Sequence, residues 1–74
     1  MIPTKIMRIT VEIRRLSSGI LEARPVESGI YGTNLLRGRS LTNLDHARQQ
    51  VERMYALKSV KAGIAIFVEW RGIA

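Results

Sequence analysis

The chain opens with a strict two-residue alternation. From Lys5 to Arg15, Met7, Ile9, Val11 and Ile13 fall on one side, and Arg8, Thr10, Glu12 and Arg14 on the other. Period two, carried by β-branched residues, predicts a strand with one covered face. Leu16-Ser17-Ser18-Gly19 reads as a hairpin turn, because glycine and serine satisfy tight backbone geometry locally. The alternation returns over Ile20–Val26, with Leu21 and Ala23 set against Glu22 and Arg24. Pro25 has no N–H to give a ladder, so this strand is expected to lie at an edge or to stop there. Ser28–Gly32 is a second expected turn. Residues 33–41 (TNLLRGRSL) carry no clear period and read as either a short third strand or an irregular loop, with Gly38 as a bend.

The period then changes. Leu44, Ala47, Val51, Met54 and Leu57 recur at helical spacing, after two good N-caps, Thr42 and Asn43. With Thr42 as the cap, Asp45 would complete a capping box, and the apolar stripe fades by Lys58. A final alternation, Ile64–Arg71, puts Ile64, Ile66, Val68 and Trp70 on one side and Ala65, Phe67, Glu69 and Arg71 on the other. This is the most apolar strand and is expected to be central. Gly72-Ile73-Ala74 reads as a short tail. The order β-β-(β)-α-β predicts an α+β fold: a small antiparallel-type sheet of three to four strands with one helix on one face. Residues 1–74 form a single compact domain in this reading. The order resembles that of half-size relatives of double-stranded-RNA-binding domains and of small antitoxin-like β-sheet modules; no motif of either is matched residue by residue, and no family is assigned.

Size sharpens this picture. A 74-residue domain buries only about 60–65% of its unfolded surface and is marginal alone. There is no cysteine, so neither a disulfide nor a thiolate metal site can supplement the core. A homodimer is therefore expected. The longest apolar run, Gly63–Val68, is far short of the roughly 20 residues of a membrane span. The N-terminal residues show no apolar signal-peptide core. No membrane association and a cytoplasmic, reducing compartment are the expectations.

Catalytic chemistry has little to work with. His46 is the one imidazole; Asp45 beside it points about 100° away on a helix, and Gln49 and Gln50 offer no ionisable partner. Glu12 and Glu22 read as cross-strand partners of arginines rather than as an acid pair. Six acids without clustering predict no metal site. Neither SGIYG nor LRGRS has the spacing of a nucleotide-phosphate loop. No enzyme activity and no cofactor are expected.

Charge points to binding instead. Twelve Lys+Arg against six Asp+Glu give +6, nine of the cations being arginine, spread evenly over both halves. One helix can cover only one side of the sheet, which leaves Arg8, Arg14, Arg24, Arg71 and Phe67 on the other. Exposed aromatics flanked by arginine suit base stacking and phosphate contact. Alternatively this face packs on another subunit, or Phe67 and Ala65 sit under a loop. Arg37 and Arg39 form a second basic group, and the amides near Gly38 suit a phosphate. The leading expectation is a small binding protein associated with nucleic acid. The alternative is a protein-interaction module that docks on an acidic partner through its open sheet face or edge strand.

Overall fold

The computed structural model describes residues 5–27 and 29–72; the readings made for residues 1–4, Ser28 and the end of the tail lie outside them. Strand β1 (Lys5–Arg15) forms as the alternation predicts, and β2 (Leu21–Glu27) returns antiparallel to it, with Thr10 opposite Val26 and Arg14 opposite Glu22. Strand β3 is the two residues Ile30–Tyr31, antiparallel to the end of β2. The third strand thus lies inside the expected second turn, and residues 33–41 are irregular. Helix α1 (Leu44–Ala62) precedes β4 (Ile64–Arg71), and the sheet order is β3-β2-β1-β4.

The class is α+β, with one correction to the sheet. β4 runs parallel to β1, Lys5 opposite Ile64 and Glu12 opposite Arg71, so the sheet is mixed. β4 is also the edge, and β1 is central. Its apolar content reports which faces of the strand are covered, and says nothing about whether both of its backbone edges are paired. β2 is sealed differently from the expected open edge. It continues through Pro25 to Glu27, and the chain after β3 runs along its flank. Gly32 N–H donates to Pro25 C=O at 2.8 Å, Leu35 N–H to Ala23 C=O at 2.7 Å, and Leu21 N–H to Leu41 C=O at 2.8 Å. The Asn34 Oδ1 atom accepts from Ala23 N–H at 2.9 Å and from Leu36 N–H at 3.0 Å. Gly32 has to lack a side chain here: a Cβ would stand 2.6 Å from Pro25 Cγ.

The helix is capped by Asn43, whose side chain accepts from His46 N–H at 3.0 Å, so Thr42 is not the cap and Asp45 stands one position earlier than a capping box requires. At the other end Gly63 takes φ +66°, the left-handed conformation that ends a helix at low cost for glycine, and its N–H donates to Ser59 C=O. That single-residue link folds β4 straight back under the helix.

Among the described residues eight side chains are buried: Val11, Ile13, Leu21, Ala23, Leu36, Ala47, Val51 and Tyr55. The helix therefore seats Ala47, Val51 and Tyr55, every fourth residue, on the sheet. Leu57, expected in the core, is 61% exposed, and Met7 is 43% exposed. Leu36, from the segment without a period, enters the core, while Arg48 lies over the Trp70 ring at 5.7 Å from its centroid and Trp70 Nε1–H donates to Glu52 at 3.0 Å. These two contacts close the helix against the end of β4.

Tyr55 gives the fold a pH dependence. Burial, and then the negative charge of Glu27, raise its phenol above the ordinary 10.0. The folded state holds this proton more tightly than the unfolded chain does. The stabilisation is complete below about pH 10 and is lost as pH climbs through the raised value. Urea midpoints measured at about pH 9 and about pH 11 should fall across that interval. In Tyr55→Phe the fall should be smaller; an identical fall in both proteins would show that Tyr55 is not the group responsible.

Candidate interaction surface

Alternation fixes which residues share the face turned away from the helix, and the register fixes their neighbours. Across this face Arg24, Glu12 and Arg71 stand in one row, Val26, Thr10 and Glu69 in the next, and Arg8 and Phe67 beyond them. Arg8, Arg14, Arg24, Arg71 and Phe67 are brought together here. Arg37 and Arg39 are not: they flank Gly38 (φ +79°), exposed, in the turn that inserts Leu36 into the core.

The expected free guanidiniums are not free. Arg71 Nη2 lies 3.1 Å from Glu12 Oε2, Arg14 Nε 3.4 Å from Glu22 Oε1, Arg24 Nη2 3.4 Å from Glu22 Oε2, and Arg8 Nη1 3.7 Å from Glu69 Oε1. Tyr31 O–H donates to Glu12 at 3.2 Å and accepts from Arg71 at 3.4 Å. Arg24 also donates to Gly32 C=O at 3.2 Å. The hydrogen bond to Glu12 is the main reason that the Arg71 guanidinium is pushed above its ordinary range. Exposed pairs such as Arg8–Glu69 stabilise by at most about 1 kcal/mol each, so their importance is local neutralisation. Four arginines against three glutamates leave this face one of the chain's six net positive charges. The remainder lies outside it, on groups that include Arg37 and Arg39 of the turn and Arg53, Lys58 and Lys61 of the helix.

Phe67 is 55% exposed, with no loop over it among the described residues, and it sits on the edge strand rather than at the centre of the face. On the same face Ile6 of β1 is 71% exposed, and on the helix side of the sheet Val60 is 82% exposed. Beyond its ladder to β1, the backbone of β4 receives one hydrogen bond among the described residues, from the Ser59 hydroxyl to the Ile64 carbonyl. The sequence placed Phe67 on the correct face. It could not show the open edge, because the position of a strand within a sheet leaves no mark in its own alternation.

Among the described residues no three of the His, Cys, Asp and Glu side chains gather to hold a metal ion, and no helix is long and apolar enough to cross a membrane. His46 is exposed in the first helical turn. No family model, curated protein or solved structure matches the chain.

Proposed function

We propose that this chain is a non-enzymatic protein-interaction module that docks through the open edge of β4, extending its sheet with a strand from a partner. The observation that carries this reading is the asymmetry of the two edges. The β2 edge is closed by β3 and by backbone and Asn34 hydrogen bonds, whereas β4 offers eight residues, IAIFVEWR, flanked by exposed Phe67 and Val60. Long, apolar, unpaired edges template strand addition, and proteins that do not use them carry charge or proline there. In β4 the charges come only at the far end, Glu69 and Arg71, and Glu69 already faces Arg8.

A second reading, nucleic-acid association, rests on the cations outside the sheet face, among them Arg37, Arg39, Arg53, Lys58 and Lys61. Co-purification from the native cell with nuclease treatment separates the two. Under the edge-docking reading a protein partner survives nuclease and is lost from the variant Ala65→Lys/Phe67→Lys, which places charge along the edge. Loss of every partner on nuclease treatment, with Arg37→Ala/Arg39→Ala as the weakened variant, would support nucleic acid instead.

A further inference from the structure

We infer that the strand taken up by β4 is β4 of a second copy of this chain, paired antiparallel about a two-fold axis normal to the sheet; this rests on the edge-docking reading and names its partner. Such an axis joins two four-stranded sheets into one of eight strands and keeps both helices on the same side.

Self-complementarity centres the pairing on the apolar middle of the strand. With Phe67 on the axis, each copy sets Ile66 against Val68 of the other and Ile64 against Trp70, all on the helix side. On the opposite side Phe67 meets Phe67, and Glu69 meets Ala65. Apolar and aromatic residues directly opposite one another are the favourable cross-strand pairs, and no like charges are opposed. Sliding the strands until Glu69 faces Glu69 would lose both advantages.

A strand edge alone falls short of the roughly 800 Å² per partner of a stable interface. The helix supplies the rest. Glu52, Tyr55 and Ala56 line the groove beside Ile66, Phe67 and Val68, so Ala56 stands level with the axis. Val60, one turn further on, is exposed and points to no core. A small residue at the crossing lets the two helices approach, and Val60 then packs across them. The association also addresses the shortage of buried apolar surface in a chain of 74 residues.

Charge gives the pairing a signature. Two copies of +6 repel, so salt should tighten the dimer by screening, whereas phosphate binding weakens with salt. Sedimentation equilibrium of the full chain over a wide micromolar range, at low and moderate salt, tests this. The expected result is a species of twice 8.4 kDa that is favoured by salt. Phe67→Lys, which opposes like charges on the axis, should weaken it by at least about tenfold. Val60→Lys, on an exposed helix position the fold does not need, should weaken it too. A monomer throughout would overturn the inference, as would a dimer indifferent to both substitutions. If the chain is monomeric while Ala65→Lys/Phe67→Lys still loses its nuclease-resistant partner, the second copy is wrong and edge docking stands. If the charged variant keeps that partner, edge docking falls as well.

Discussion

Leu36→Ala should lower the unfolding free energy by about 2–5 kcal/mol, the cost of a cavity at a fully buried leucine. Leu36 is 1% exposed and is among the largest fully buried side chains of the chain. A domain of this length has a total stability on the order of 4–11 kcal/mol, so this single substitution removes a large fraction of it. In urea the midpoint should fall sharply while the slope of the transition stays unchanged, because the unfolding reaction exposes nearly the same surface. A shift below about 0.5 kcal/mol, the usual range of surface substitutions, would mean that Leu36 is not in the core. Leu36 is also the residue through which the irregular segment 33–41 becomes part of the fold: its insertion holds that segment against the flank of β2.

Asn34→Ala should cost about 2–4 kcal/mol, from the same segment but by a different mechanism. One oxygen, Asn34 Oδ1, accepts two part-buried backbone donors, Ala23 N–H and Leu36 N–H. Alanine leaves both without an acceptor, and an unmet buried donor costs about 1–3 kcal/mol. Asn34→Asp keeps a side-chain oxygen at the same place and should recover most of the loss. Urea midpoints of the three proteins at neutral pH check this. If Asn34→Asp were as damaged as Asn34→Ala, the amide nitrogen rather than Oδ1 would be the important atom.

The sequence revealed faces and concealed neighbours. β1 was legible because its alternation is unbroken from Met7 to Arg14, with Met7, Ile9, Val11 and Ile13 all apolar on the inward side. The helix was legible from its period, but two adjacent stripes compete on it. The expected one ran through Leu44, Ala47, Val51, Met54 and Leu57. The observed one runs through Ala47, Val51 and Tyr55, and a periodicity shared by both could not decide which would be pressed on the sheet. Leu36 was illegible because a lone side chain in an irregular loop has no period at all. β3 was hidden in a turn because two residues are too few to alternate.

The same distinction governs the candidate surface. That Arg8, Arg14, Arg24, Arg71 and Phe67 share a face followed from period two. That Glu12 sits between Arg24 and Arg71 did not, since it requires β1 to be central and β4 to run parallel beside it. The sheet-face arginines that suggested phosphate contact are therefore the ones the glutamates hold. The open backbone of β4, a property of sheet order alone, becomes the feature that defines the proposed docking site.

Residue-resolved amide hydrogen exchange along β4, followed as protein concentration rises, tests the edge directly. Amides of Ala65–Trp70 that point away from β1 should exchange quickly in dilute solution and become protected as the concentration rises, while Leu21, Ala23 and Leu35 stay protected throughout. Rapid exchange at those β4 positions under all conditions, with new protection appearing instead around Arg37, Arg39 or the exposed helix, would contradict the account.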